Sequence, residues 1–175
     1  MVYWLTGLPG SGKTALADRL SDYLKAKGLG VARLDGDALR TMFPGTGFSR
    51  EERDRHVRRA GELAAKLEKE GAIVVASLIS PYRESRAYVR SICSYFIEVY
   101  VKASLATCEK RDPKGLFKKA RAGEIRNFTG IDDPYEPPES PDGIIPTDDL
   151  SLEESFEMLK KCVERRLQNI VKPGL

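Results

Sequence analysis

The sequence lacks a long apolar run and has few cysteines. Its longest hydrophobic stretch, AIVVASLI at residues 72–79, is too short to cross a bilayer as a helix. The three cysteines, Cys93, Cys108 and Cys162, are odd in number and far apart, which excludes a disulfide framework and a zinc-binding pattern. We therefore expect reduced thiols in a cytoplasmic protein with no signal peptide before its first strand and no membrane partner.

A large excess of one charge is also absent. The chain carries 29 basic and 26 acidic residues, and its net charge of +3 is too small to indicate a nucleic-acid partner by itself. Internal repeats and low-complexity tracts are missing as well. A length of 175 residues with 41% hydrophobic content is typical of one domain with a sizeable core, so we predict a single domain over residues 1–175.

The sequence does contain a glycine-rich segment, GLPGSGKT, between an apolar run and a helical pattern. It matches G-x-x-x-x-G-K-[ST], a phosphate-binding loop in which Lys13 reaches the β- and γ-phosphates and the Thr14 hydroxyl binds Mg²⁺. Glycines allow the backbone N–H groups to approach phosphate oxygens, and the next helix adds the positive end of its dipole. We predict that ATP is bound by this loop, which consists of Gly7, Leu8, Pro9, Gly10, Ser11, Gly12, Lys13 and Thr14.

Strand-like and helix-like segments alternate along the chain. Short apolar runs predict five strands, at residues 2–6, 30–35, 72–80, 95–101 and 143–147. Helical spacing predicts helices over 15–27 and 50–70, and from Ser151, where Ser151 and Glu154 form a capping box. The alternation predicts an α/β protein of the P-loop kinase fold, with a five-stranded, mostly parallel sheet and helices on both faces.

A polar segment from Arg111 to Gly143 interrupts this alternation. Residues 110–126 hold seven basic and two acidic side chains. A solvated linker is one interpretation, since charge runs are often tails. The apolar side chains in the segment favour the other interpretation, a mobile lid over about 111–143 that closes on phosphates and bases. Among them, Phe128 has no obvious core to join.

Two carboxylates follow the second strand in LDGD, residues 34–37. Because parallel strands end at the ligand crevice, Asp35 and Asp37 could hold hydrated Mg²⁺ or accept a proton from an attacking hydroxyl. An aspartate at such a position is also a common turn former.

The segment GFSREERDRHVRR, residues 47–59, starts a helix with a Ser49 cap and has five arginines within ten residues. It is either a solvated basic face or a clamp for an anionic substrate.

Three classes of function are considered from these residues, and two of them remain open. A GTPase is disfavoured because residues 112–115 match D-x-x-G but no N-K-x-D occurs. A small-molecule kinase fits the length, the lid and the topology, and its acceptor could be any small nucleotide or alcohol. A nucleic-acid-binding module could instead use the basic lid and the arginine-rich helix, although the net charge is small.

The chain resembles the adenylylsulfate kinases over nearly its whole length. The similar segments are GLPGSGKT, LDGD, GFSREERDRHVRR, LISPYR, FIEVYV and CEKRDPKGLFKKARAGEIRNFTGIDDPYEPPESPD. The stretch 111–135 is the most diagnostic, because other P-loop kinases have different lids. The resemblance implies that MgATP phosphorylates the ribose 3′-hydroxyl of adenosine 5′-phosphosulfate (APS), giving 3′-phosphoadenosine 5′-phosphosulfate and ADP, in sulfate assimilation. It leaves a homodimer open and implies no nucleic-acid partner.

The resemblance also implies catalytic roles. Lys13 would act on the ATP phosphates, Asp37 would approach the 3′-hydroxyl as base or orienter, and Asp35 would lie near the metal with Thr14. Ser80 would be either a phosphoserine intermediate or a hydrogen-bonding group, and direct in-line transfer is the usual route in P-loop kinases.

The substrate contacts implied by the resemblance involve both the main fold and the lid. Arg40 and Arg53 would bind the phosphosulfate end, and Phe48 and Phe128 would sandwich the adenine. Arg111 would touch the base of ATP. The full acceptor set is Asp37, Arg40, Phe48, Arg53, His56, Ile79, Ser80, Lys114, Asn127 and Phe128, of which Lys114 and Asn127 belong to the closing lid.

Three positions depart from the usual pattern of the family. Pro9 replaces a serine in the loop, and its missing N–H is harmless if that donor would face away. Ala38 stands where asparagine is usual. His56 replaces a substrate-binding asparagine, and its imidazole can still donate one hydrogen bond, but we expect its charge to titrate near neutrality.

We predict that Lys13→Ala abolishes ATP turnover and leaves the fold intact, because the loop lysine belongs to no hydrophobic stripe of the sequence. Turnover would be measured alongside circular dichroism. A variant that turned over ATP at close to the wild-type rate would exclude the loop from the mechanism.

Overall fold

The computed structural model of the chain describes residues 1–43, 45 and 47–170. Its elements in chain order are β1 Val2–Thr6, α1 Lys13–Ala26, β2 Val31–Asp35, α2 Gly36–Met42, α3 Arg50–Lys69, β3 Ile73–Ser77, α4 Arg83–Ile92, β4 Phe96–Lys102, α5 Leu105–Arg111, α6 Leu116–Arg121, β5 Gly143–Pro146 and α7 Leu152–Ile170. All five predicted strands and the three predicted helices are confirmed. The end of the predicted domain, 171–175, lies outside the described residues. No described helix is both long enough and apolar enough to cross a membrane.

The five strands form one sheet in the order β2-β3-β1-β4-β5, and every described pair is parallel. The central strand β1 is buried along its whole length, as expected of a parallel strand covered on both faces. In the register of the sheet, Ser77 lies opposite both Leu5 and Asp35. The carboxyl ends of β1, β2 and β3 therefore meet at one edge.

Helices cover both faces of the sheet, as the alternation predicts. The hydrophobic core on one face contains residues of α1 and α7, where α1 packs against β1, β2 and β3 and α7 packs against β5. The core on the other face contains residues of α3 and α4, where α3 packs against β1, β2 and β3 and α4 packs on α3. The approach of α3 to α4 is very close at Gly61, where a Cβ atom would lie 2.5 Å from a methyl carbon of Val89. This contact holds α3, which carries Arg53 and His56, firmly against its neighbour.

The lid segment contains a third, smaller core, and it corrects one expectation. Phe128 is only 7% exposed and packs edge-to-face on Phe117, with ring centroids 4.9 Å apart. Cys108, Ala103 and Ala120 complete this lid core. The view that Phe128 has no core to join was wrong, because α5 and the unpredicted helix α6 fold together and create one.

Candidate active site

The glycine-rich segment forms a tight turn between β1 and α1. A Cβ atom on Gly7 would lie 2.4 Å from the carbonyl oxygen of Val101, so only glycine fits against β4 here. Gly10 and Gly12 have φ values of 74° and 97°, in the left-handed region that favours glycine. Helix α1 begins directly at Lys13, so the unpaired N–H groups of its first turn lie beside the loop. This arrangement suits an anion.

Lys13 is buried within the loop. Its ammonium donates hydrogen bonds to the carbonyl oxygen of Leu8 at 2.6 Å and to Ser11 Oγ at 3.3 Å. Burial lowers the pKa of Lys13 to about 8, although the nearby carboxylates of Asp37 and Asp35 oppose that shift. A phosphate anion bound in the loop would favour the charged form of this lysine.

Asp35 connects four parts of the site. It is the N-cap of α2, where Oδ1 accepts hydrogen bonds from the backbone N–H groups of Asp37 at 3.0 Å and Ala38 at 3.4 Å. Its Oδ2 accepts from the hydroxyls of Ser77 at 3.0 Å and Thr14 at 3.3 Å. Burial would raise the pKa of Asp35, but the hydrogen bonds from Ser77, Asp37 and Ala38, together with the charge of Arg33, hold it below its ordinary value. The carboxylate is therefore ionised beside the Thr14 hydroxyl.

A cleft of about 150 Å³ lies between the loop, the start of α2 and the turn after β3. The predicted site residues that line it are Pro9, Lys13, Thr14, Asp35, Asp37, Arg40, Arg53, His56, Ile79, Ser80 and Lys114. Six further residues line the cleft and were not predicted as site residues: Gly36, Val57, Ser77, Leu78, Pro81 and Leu116. Ser77 could have been found by the rule that identified Asp35, since both end parallel strands.

Asp37 and the lid meet at the mouth of this cleft. The side chain of Asp37 is 71% exposed, and its carboxylate forms an ion pair with the ammonium of Lys114. Leu116, at the start of α6, also lines the cleft. The lid therefore reaches the carboxylate that was predicted to approach the acceptor hydroxyl.

Two arginines and one aromatic ring form a connected group at the rim. The guanidinium of Arg40 lies 4.4 Å from the ring centroid of Phe48, and that of Arg53 lies 5.5 Å from it. Arg53 is buried, and it donates to the carbonyl oxygens of Phe48 at 3.0 Å and of Asn127 in the lid. Phe48 is 53% exposed and does not itself line the cleft, nor does Asn127.

Ser80 lies at the far side of the cleft, and its hydroxyl is engaged inside the fold. Oγ accepts a hydrogen bond from the indole N–H of Trp4 at 3.1 Å and donates one to Thr6 Oγ1 at 2.9 Å. The residue is 2% exposed, and its backbone φ of 40° is unusual for a residue other than glycine. The geometry is that of structural hydrogen bonds that join the turn after β3 to strand β1.

His56 is buried in its neutral form. Its Nε2 lies 3.2 Å from the carbonyl oxygen of Gly36, which can only accept, so Nε2 carries the proton. Nδ1 is then an acceptor, and it has no hydrogen-bond partner among the described residues. Burial, followed by the charge of Arg40, lowers the pKa of His56 to about 4, so the expectation that its charge titrates near neutrality was wrong.

Two further predicted residues lie away from the cleft. Arg111 donates to the hydroxyl of Thr147 at 3.2 Å and to its carbonyl oxygen, and that hydroxyl donates to the carbonyl oxygen of Ser11 at 3.0 Å. Arg111 therefore adjoins the loop through Thr147. Phe128 lies in the lid core rather than on the cleft wall.

Comparisons with known proteins identify the family. The protein-family model described as adenylylsulphate kinase matches residues 1–146 of this chain. The probable adenylyl-sulfate kinase of Aeropyrum pernix is 50% identical over 169 residues, covering 94% of this chain and 92% of that protein. The adenylyl-sulfate kinase of Rippkaea orientalis is 50% identical over 171 residues, covering 97% and 94%.

A solved structure agrees with these sequence comparisons. The Mycobacterium tuberculosis APS kinase, in complex with AMPPNP and APS, matches this chain with a TM-score of 0.89 and 40% identity. The match covers 93% of this chain and 96% of that one. The chain belongs to the adenylylsulphate kinase family.

Proposed function

We propose that the chain transfers the γ-phosphoryl group of MgATP to the 3′-hydroxyl of APS, giving 3′-phosphoadenosine 5′-phosphosulfate and ADP in sulfate assimilation. The observation that carries this proposal is the single cleft that joins the loop lysine, Lys13, to the strand-end carboxylate Asp37 and to Arg40 and Arg53. Membership of the family and the neighbour's complex with AMPPNP and APS support the choice of donor and acceptor.

On the donor side, the loop 7–14 would hold the phosphates of ATP through its backbone N–H groups and Lys13. Arg111 would contact the base from its position beside Thr147. The Thr14 hydroxyl and the Asp35 carboxylate fit Mg²⁺, which prefers oxygen ligands and keeps several waters and substrate phosphates in its shell. The described residues contain no cluster of three His, Cys, Asp or Glu side chains that could hold a metal alone. When bound, Mg²⁺ neutralises charge on the phosphates.

On the acceptor side, Asp37 would orient the 3′-hydroxyl and take its proton. Arg40 and Arg53 would bind the phosphosulfate, since planar guanidinium groups suit bidentate contact with oxyanions. The exposed ring of Phe48 offers a face for the adenine. Phe128 stays a predicted adenine contact, and only the part of its ring that Phe117 does not cover could meet the base.

Ser80, in this proposal, is a hydrogen-bonding residue and not a phosphorylated intermediate. Its hydroxyl already bonds to Trp4 and Thr6, and the residue is buried. Direct transfer needs no covalent step, because positioning and charge stabilisation provide most of the catalysis of phosphoryl transfer.

The alternative of a nucleic-acid-binding module is less well supported. Several arginines of α3 form ion pairs within the chain: Arg50 with Glu136, Arg53 with Asp133, and Arg58 with Asp54 and Glu84. These pairs reduce the basic face that a phosphate backbone would need.

A cytoplasmic location and a homodimer stay predictions.

The function is tested by incubating the protein and labelled MgATP with a panel of acceptors, namely APS, adenosine 5′-monophosphate, gluconate and a short RNA. We expect labelled product from APS alone, with the label at the 3′-position. Transfer to another alcohol and none to APS would overturn the proposal.

We expect Asp37→Asn to lower kcat by roughly 10²–10⁴, the usual contribution of a positioned acid–base group, with a smaller change in KM for APS. Asparagine keeps the size and can still orient a hydroxyl, but it cannot take its proton. The measurement is single-turnover transfer from labelled ATP to APS.

Ser80→Ala is the matched comparison in the same assay, and its rate should fall much less if transfer is direct. The direct route would be contradicted if the wild-type protein became labelled before labelled product appeared, and if Ser80→Ala showed no labelled protein.

His56 gives a prediction for the pH dependence of stability. Its pKa is near 4 in the folded chain and has a reference value of 6.5, so between these values the unfolded chain binds a proton that the folded chain does not. The free energy of unfolding should therefore fall as pH decreases through this window.

The control is His56→Asn, which cannot titrate. The free energy of unfolding of both proteins is measured with urea at pH 7, 6, 5 and 4. The value for the wild type minus that for His56→Asn should decrease as the pH falls towards 4. A difference that stays constant over this range would show that the pKa of His56 is not lowered.

A further inference from the structure

Arg86 on α4 does not line the cleft, yet its guanidinium is the centre of a buried network. The residue is 2% exposed. It donates from Nε to Glu98 Oε1 at 2.7 Å, and from its two terminal nitrogens to the carbonyl oxygens of Ser80 at 2.6 Å and Glu136 at 2.7 Å. One planar cation thus joins strand β4, the turn after β3 and the part of the lid around Glu136, which we call the lid end.

The first carbonyl belongs to the turn 78–81, which forms one wall of the cleft. Within that turn, Ser80 has a φ of 40°, a left-handed value that costs energy for a residue with a Cβ atom. Such a conformation persists when its surroundings hold it in place. The bond from Arg86 to the Ser80 carbonyl supplies such a constraint.

The second carbonyl lies at the end of the lid, where the chain is fastened to the same turn. The N–H of Glu136 donates to the carbonyl oxygen of Pro81 at 2.8 Å, and the Glu136 carboxylate accepts from the N–H of Arg83 at 2.8 Å. The turn and the lid end are therefore one unit, and Arg86 donates to both of its halves.

Glu98 supplies the charge that allows an arginine to lie here. Both groups of the pair are buried, with side chains 2% and 9% exposed. Taking two charges out of water is costly, and apolar replacements are often no less stable. The pair is therefore better explained by the geometry that it imposes than by stability.

Arg90 makes a comparison available within the same network. It binds the other oxygen of Glu98 at 3.3 Å and Asp142 at 2.9 Å, and its side chain is 42% exposed. The hydrogen bonds described for Arg90 go to Phe96, Glu98 and Asp142, and none goes to the turn 78–81 or to Glu136.

We propose that Arg86 is a positioning residue for the acceptor side of the cleft. It holds the turn 78–81 and the lid end in the geometry that binds the acceptor nucleotide, without touching either substrate. Its hydrogen bonds go to the turn 78–81 and to Glu136, and not to the loop 7–14. Arg86 therefore affects the binding of the acceptor and leaves ATP binding unchanged. This inference rests on the proposed function.

The test compares Arg86→Lys with the control Arg90→Lys by steady-state kinetics, varying APS and MgATP separately, at a temperature below the melting transition of both variants. A lysine ammonium cannot span three acceptors on separate elements. Arg86→Lys should raise KM for APS by about tenfold or more, as expected when a hydrogen bond involving a charged group is lost. KM for ATP should stay within about twofold of wild type, and Arg90→Lys should leave both constants within about twofold.

Three outcomes would overturn the proposal: an unchanged KM for APS in folded Arg86→Lys, an equal rise in both KM values, or the same selective rise in Arg90→Lys. Failure of the proposed function looks different, because the wild type itself would then not phosphorylate APS. The same comparison would then be made with whichever acceptor the wild type uses.

A second variant covers the case in which Arg86→Lys does not fold. Arg86→Met combined with Glu98→Gln removes both buried charges, which proteins often tolerate, and still leaves the two carbonyl oxygens without their donor. It should show the same selective rise in KM for APS. A double variant with wild-type KM values would exclude a positioning role for Arg86.

Discussion

The contact between Gly7 and the carbonyl oxygen of Val101 is the constraint on which the site depends. Because glycine has no side chain, the loop can lie close against β4 as the chain leaves the central strand and turns into α1. That turn places Lys13 and Thr14 in the first turn of a helix, at the carboxyl edge of the sheet. The buried, parallel β1 makes this position rigid, since strands pair with it on both sides.

Asp35 extends this arrangement to the acceptor side. One carboxylate oxygen starts α2 and so sets the place of Asp37 in its first turn, while the other receives the hydroxyls of Thr14 and Ser77. A single charged group therefore links the donor loop, two strand ends and the helix that carries the proposed base. The charge is not isolated, because its hydrogen bonds replace the water lost on burial.

The lid has two kinds of attachment, and they differ in exposure. Near its start, Lys114 reaches Asp37 through an ion pair between two exposed side chains, which solvent and salt weaken. Near its end, Arg86 and the hydroxyl of Tyr135, which lies 3.0 Å from Thr6 Oγ1, tie the segment to the sheet through hydrogen bonds that are partly buried. These differences favour a lid whose first half opens and closes while its last residues stay with the fold.

Local patterns in the sequence determined the loop, the five strands, the three long helices and the two helix caps at Ser49 and Ser151, because each depends on residues close together in the chain. Only the tertiary structure decided the lid core around Phe128, the tautomer of His56, the conformation of Ser80 and the network of Arg86. These features depend on contacts between residues far apart in sequence, such as Trp4 with Ser80, 76 positions away, and Lys114 with Asp37, 77 positions away. No periodicity or motif reports such contacts, since they form only when the sheet brings its strand ends together and the lid folds back over them.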